Sequence, residues 1–267
     1  SESRSLSPGS WSAEVTESAV QTPLTQTRRE IAVLIVSVFV VSTCAIFYEL
    51  LISTTSSYFL GSSVLQFSIT IGLFMFFMGV GSFLSKYITD DLLRRFIFIE
   101  TIIGIVGGLS VLVLHAAFTF GENYYVVMFL LIAAVSTLVG LEIPLVVRIA
   151  RTYHPLKDAL ANVLAFDYLG ALVASILFPL VLLPYLGLVR TACVVGLLNL
   201  GIAFVTAREF RHLLQPRPLH SVILWLGVCV VGLGFIGAAP LTEIFDRFLY
   251  QDEIVLSSQS QYQKIVL

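Results

Sequence analysis

The chain has 267 residues, of which 57% are hydrophobic and 12% charged, and its mean hydropathy is +0.95. A soluble domain is about half apolar and about a quarter charged, so this composition excludes an ordinary water-soluble globule and predicts apolar surface facing lipid. A formal net charge of −2 excludes a strongly basic nucleic-acid surface, and no nucleic-acid partner is expected.

Residues 1–30 open without Met, as Ser1-Glu2-Ser3-Arg4-Ser5, and stay rich in Ser and Thr to Thr27. Such a segment cannot bury enough apolar area to fold, which predicts a disordered tail. Arg28-Arg29 ahead of an apolar stretch has the outline of a secretory leader. The stretch is longer than the roughly 7–15 residues of a leader and has no small-residue cleavage site, so it is expected to stay attached as a first helix.

Crossing the hydrocarbon core takes about 20 mostly apolar residues. Seven runs qualify: 31–52, 64–87, 96–120, 124–147, 163–186, 190–206 and 221–239. Residues 31–239 are therefore expected to form an all-α integral membrane domain of about seven transmembrane helices. Leu60-Gly61-Ser62-Ser63 and Gly121-Glu122-Asn123 leave room only for tight turns between antiparallel neighbours. Pro184 and Gly187 are expected to end the fifth run, and Pro216 and Pro218 to part the sixth from the seventh.

Lys and Arg set the orientation. Twelve lie on one side, in the N-terminal tail (Arg4, Arg28, Arg29) and in the second, fourth and sixth links (Lys86, Arg94, Arg95; Arg148, Arg151, Lys157; Arg208, Arg211, Arg217), against Arg190 alone on the other. This predicts a cytoplasmic N-terminus and, with seven crossings, everything after Ala239 outside.

Residues 240–267 change character. Leu241, Ile244, Phe245, Phe248 and Leu249 recur at helical spacing among Glu243, Asp246 and Arg247, which predicts an amphipathic surface helix over 241–250. Two strand-like pieces follow, 253–257 and 261–267, around a turn at Ser258-Gln259-Ser260. They are expected to be the first β-hairpin of a truncated domain, since a lone hairpin is barely stable in water.

Ionisable residues inside apolar runs are costly and therefore informative. Glu100, Glu142 and Asp167 are expected at a similar depth near the cytoplasmic side, with Arg95, Arg148 and Arg151 close by. Two readings stay open: an inward-facing polar pocket for a cation or polar head group, or carboxylate–arginine and carboxylate–backbone contacts that fix helix packing. Glu49 and Gln66, with the hydroxyls from Ser53 to Ser57, form a second polar patch on the outer side. Gly104 with Gly108, Gly79 with Gly81, and Gly170 with Ala174 are spaced for close helix approach. Cys44, Cys193 and Cys229 lie in apolar runs as small hydrophobes, and His115, His154, His212 and His220 lack metal-ligand spacing, so no metal site is expected. No nucleophile with its base and no phosphate-cradling loop is present, so no catalytic residue is assigned.

Several motifs in this order resemble a known family. They are Tyr48-Glu49-Leu50, Leu60-Gly61-Ser62-Ser63-Val64-Leu65-Gln66-Phe67-Ser68, Gly72-Leu73-Phe74-Met75, Gly140-Leu141-Glu142-Ile143-Pro144 and Phe166-Asp167-Tyr168-Leu169-Gly170. Together they resemble the membrane-spanning branch of the polyamine aminopropyltransferases, the spermidine synthases, and Ser260-Gln261-Tyr262-Gln263-Lys264-Ile265 is similar to the strand that opens that family's catalytic domain. The resemblance implies a possible donor-binding role for Gln263 and Tyr262, with decarboxylated S-adenosylmethionine as co-substrate and no other cofactor. It implies attack of a putrescine amine on the carbon beside a sulfonium to give spermidine, in a bacterial inner membrane. The family's glycine-rich donor loop and general base are expected in a catalytic domain beyond this chain. An accessory scaffold in a membrane complex, or a channel or transporter for a small polar cation, remains open beside this reading. So do other membrane subunits or a homo-oligomer as partners. The charge asymmetry makes a direct prediction: Gly121→Cys should react with an impermeant thiol reagent added outside, and labelling only from the cytoplasmic side would overturn the orientation.

Overall fold

The structure, a computed structural model, describes residues 11–121, 123–153, 155–214, 218–249, 257–259 and 264–266. The helices in chain order are α1 Trp11–Leu60, α2 Ser63–Leu84, α3 Leu92–Phe120, α4 Tyr124–Ala150, α5 Leu156–Leu177, α6 Leu183–Glu209, α7 Pro218–Ile236 and α8 Ala238–Leu249. A 3₁₀ turn, Ser85–Tyr87, continues α2, and a π-helical turn, Phe178–Leu182, joins α5 to α6. The helix α1 begins within the stretch expected as a disordered tail, and its apolar part is Arg28–Leu60. In surroundings without water, a helix is the one single-segment fold that pairs its own backbone groups, so long apolar runs coil.

The expectation of about seven transmembrane helices is corrected to helices whose length and apolarity suffice for a crossing, without a crossing being established. Among the described residues, six helical segments are long and apolar enough to cross a membrane, by length and composition alone. One of the six, Leu156–Glu209, has 54 residues and contains both expected runs, 163–186 and 190–206, as two helices that meet across a kink at Gly187. Pro184 does not end the helix, which continues from the π-helical turn directly into α6. The reversal occurs inside the segment at Gly187, whose φ of 71° is open to glycine and strained for other residues. Packing against α1 reveals the fold-back. Ser42 on α1 meets α5 at Asp167 and Phe47 meets Phe178, whereas Cys44 meets α6 at Val195 and Ser37 meets Thr206. The chain thus runs alongside α1 and then back against it.

The helix α1 is central, touching α2, α3, α4, α5 and α6. Around it, α2 lies against α4 and α3 against α6, and both crossings are made by glycine. A Cβ at Gly81 would lie 2.0 Å from the Thr137 carbonyl oxygen, and one at Gly140 would lie 2.1 Å from that of Met78. Gly104 and Gly108 likewise face Gly196 on α6, so this small-residue pair serves packing within the chain. The turn between α1 and α2 uses Gly61 (φ 70°) and Ser62 (φ 49°), and Ser57 and Ser63 share a 2.7 Å hydroxyl hydrogen bond across it.

The C-terminal expectation also needs correction. The helix α8 sets Phe245 and Phe248 against Phe120, with ring centroids 6.0 and 5.3 Å apart. The strands are β1 Ser257–Gln259 and β2 Lys264–Val266, antiparallel, pairing Ser257 with Val266 and Gln259 with Lys264. The expected hairpin, 253–257 against 261–267 with a turn at 258–260, is therefore not formed, because Ser258 and Gln259 lie in a strand. Composition marks turn-prone residues, but loop geometry decides which residues pair.

Because α2 and α4 meet at backbone level, Gly81→Ala should destabilise the fold by about 2 kcal/mol or more, as overpacking a tight contact does. Gly79→Ala, whose Cβ would meet nothing within 4 Å, should be neutral or slightly stabilising. Thermal unfolding of the two variants in detergent checks the contrast, and equal loss in both would contradict the assigned contact.

Candidate functional site

The α2–α4 contact turns the next half-turn of α4 inward. Glu142, two residues after Gly140, is 2% exposed, and Glu100 on α3 is 0% exposed. The two carboxyl groups are direct neighbours, and Asp167 on α5 is within electrostatic range of Glu142. The structure thus brings together the three carboxylates singled out in the sequence. Asp167 is half-buried, and its backbone carbonyl accepts a 2.6 Å hydrogen bond from Ser42 on α1.

The expected arginine partners are elsewhere. Arg148 donates to the carbonyls of Ile88 and Ser85, at 2.7 and 2.8 Å, beyond the end of α2. Carbonyls left free at a helix end attract a cation strongly, and this claim on Arg148 outweighs the carboxylates. Arg95 and Arg151 are exposed. Among the described residues, the ion pairs are Arg29–Glu209, Arg94–Asp91 and His212–Glu30, so none involves Glu49, Glu100, Glu142 or Asp167. Glu100 and Glu142 lie within hydrogen-bonding reach of each other, and beyond that mutual contact both carboxyl oxygens of Glu100 and Oε1 of Glu142 have no hydrogen-bond partner.

A cavity of about 330 Å³ opens beside them, between α1, α2, α4 and α5. Glu49, Glu142, Asp167 and Ser42 line it, and most of the remaining wall is Val, Ile, Phe and Met. Met75 on α2 and Tyr168 on α5 line it as well and are largely exposed, placing them at its mouth. Glu49, assigned in the sequence to a separate outer patch, is therefore part of the carboxylate cavity. Gln66 is not a lining residue; it is buried on α2 one turn before Thr70, and Gln66 Oε1 and Thr70 Oγ1 are both unpartnered. Most of the hydroxyl patch is tied down: Ser53 donates to the Glu49 carbonyl at 2.8 Å, and Ser56 shares a 2.9 Å hydrogen bond with the Tyr124 hydroxyl. Gln263 and Tyr262 lie outside the described residues.

Sequence reasoning missed two polar groups. The Tyr48 hydroxyl is buried and unpartnered, and its ring fills the space left by Gly107, where a Cβ would come within 2.5 Å. Asn199, 1% exposed with Oδ1 unpartnered, was legible as a lone amide in the middle of an apolar run. Tyr48 left no such signal, because a tyrosine in an apolar helix looks like core until its hydroxyl is located. No metal-holding cluster of His, Cys, Asp or Glu occurs among the described residues.

At the other end of α1, Glu30 joins three elements. Its Oε2 accepts a 2.8 Å hydrogen bond from the Tyr153 hydroxyl, and its Oε1 lies 3.1 Å from His212 Nε2.

No protein-family model matches the chain, and no solved structure matches it significantly. Curated proteins do. The polyamine aminopropyltransferase of Leptospira interrogans is 42% identical over 238 residues, covering 88% of this chain and 47% of that protein. Polyamine aminopropyltransferase 2 of Ralstonia nicotianae is 42% identical over 244 residues, 88% of this chain and 48% of its own length. The Mycobacterium tuberculosis polyamine aminopropyltransferase is 33% identical over 251 residues, with 88% and 47% covered. The chain therefore spans about half the length of the curated relatives it matches.

The Glu30 contact yields a pH signature. Burial first, then the hydrogen bond to Glu30 and its negative charge, push the Tyr153 phenol up from 10.0 to about 12. Ionisation is harder in the folded chain than in the unfolded one, so this stabilisation is fully present below pH 10.0 and is lost as the pH rises to about 12. Alkaline titration followed by tyrosinate absorbance should show a phenol ionising at about pH 12 that is missing in Tyr153→Phe. An absorbance change at about pH 12 of the same amplitude in the variant and the wild type would contradict the assignment.

Proposed function

We propose that this chain acts in polyamine aminopropyl transfer as a helical domain embedded in a bilayer. The observation that carries the reading is 42% identity across 88% of the chain to proteins named polyamine aminopropyltransferase. The bilayer setting is supported by six segments of sufficient length and apolarity. It is also supported by large apolar side chains turned outward, among them Met75 on α2 and Leu233 on α7, 67% and 68% exposed. Water would penalise that surface, whereas lipid would not.

In this reading the helices hold the transfer chemistry at the membrane, with the N-terminus cytoplasmic. The reaction joins a putrescine amine to the aminopropyl carbon beside the sulfonium of decarboxylated S-adenosylmethionine. A carbon–nitrogen bond forms, the carbon–sulfur bond breaks with its electron pair going to sulfur, and the amine gives up a proton to a base. Gln263 and Tyr262 are assigned to the donor. The membrane carboxylates are assigned no step in this transfer.

The natural gene product tests both parts. It should stay with the membrane fraction through an alkaline carbonate wash and form spermidine from putrescine and decarboxylated S-adenosylmethionine. Release into the wash would overturn the bilayer setting, and membrane retention without aminopropyl transfer would overturn the transferase reading. Gln263→Ala should raise the KM for the donor about fivefold, the cost of one hydrogen bond, with kcat little changed.

A further inference from the structure

We propose that the cavity between α1, α2, α4 and α5 is a binding site for an aliphatic primary ammonium ion, with Glu142 and Asp167 as its charge partners. The inference rests on this geometry alone and does not require the transferase reading.

Three observations converge. First, Glu142 faces the cavity while almost wholly buried, and beyond its contact with Glu100 its Oε1 has no partner. A buried carboxyl oxygen without a donor is an unmet demand, since desolvation is compensated only by a hydrogen bond or an opposite charge. Second, Glu49, Asp167 and Glu142 line the cavity, and no Lys or Arg does so among the described residues. Arg148, about one turn and a half beyond Glu142 on α4, is held by the Ile88 and Ser85 carbonyls. The acidic character is therefore left for a ligand to balance. Third, the rest of the wall is apolar, with Phe74, Val139 and Ile143 among it. An inorganic cation needs oxygen ligands converging on most sides, and among the described residues the carboxylates do not gather into such a cluster. A primary ammonium has three donors on one end and an alkyl body on the other, which matches carboxylates at one place and hydrocarbon around it.

The mouth between Met75 and Tyr168 lies on exposed faces of α2 and α5, so the ammonium could come from a soluble amine or from the head group of an aminolipid. The recognition chemistry is the same in both.

The test is calorimetric titration of n-butylammonium chloride into the purified natural protein in neutral detergent. Saturable binding is expected, weakened at least about tenfold in Glu142→Gln and in Asp167→Asn, as loss of a charge-assisted hydrogen bond requires. Ala171→Phe fills the cavity without touching a charge and should abolish the heat while leaving the helical circular dichroism and detergent elution volume unchanged. Potassium chloride and n-butanol should give no saturable heat. Competition by phosphatidylethanolamine at a few mole per cent would identify an aminolipid as the source, and its failure to compete a soluble amine. The proposal is overturned if the wild type shows no saturable heat. It is equally overturned if butanol or potassium binds as well, or if folded Glu142→Gln and Ala171→Phe bind as tightly as the wild type.

Discussion

Direct backbone contact between helices is the constraint from which the rest of this bundle follows. At Gly81 and Gly140, α2 and α4 approach so closely that a single Cβ on either would overlap a carbonyl oxygen of the other. Gly104 and Gly108 do the same for α3 on Gly196 of α6. Such contacts exclude side chains from the crossing points and displace them to either side, so the register of each helix is set by its glycines. Glu142 is turned inward because Gly140 is fixed against Met78. Tyr48 reaches inward because Gly107 leaves room for its ring.

The polar groups of the interior follow a second rule, that backbone and hydroxyl donors must be satisfied within the protein where water is excluded. Ser42, Ser53 and Thr101 each donate to a helix carbonyl, and Arg148 closes the end of α2. The departures include the Tyr48 hydroxyl, Gln66, Thr70 and Asn199, and the carboxyl groups among them are those of Glu100 and Glu142. Glu100 and Glu142 stand together in the centre, without a cation and without a full set of hydrogen bonds. Buried ionisable groups are the costliest of these departures, and function is most economically sought there.

The carboxylate constellation was partly legible. Glu100, Glu142 and Asp167 stand out in apolar runs by cost alone, and the charge count places them near one side. The assignment of Arg148 to them was wrong, because sequence distance does not reveal that carbonyls at the end of α2 compete for the same guanidinium. Glu49 was assigned to a different patch, because its distance from Asp167 along the chain conceals the parallel run of α1 and α5. Within the segment Leu156–Glu209, Gly187 ends the fifth run as expected, because two helices meet there across a kink, whereas Pro184 lies inside the helix that leads to it. Glycine at positive φ can reverse a chain without a loop.

What the sequence determined by itself was the helical character of most of the chain, the stretches that avoid water, and the identity of the groups that are expensive to bury. These depend on composition and local spacing, which each segment carries without its neighbours. Tertiary structure alone decided which glycines meet, where the long segment folds back, which residues pair between β1 and β2, and that four elements leave an acidic cavity between them. Those outcomes depend on contacts between residues far apart in the chain, and a local pattern holds no record of them.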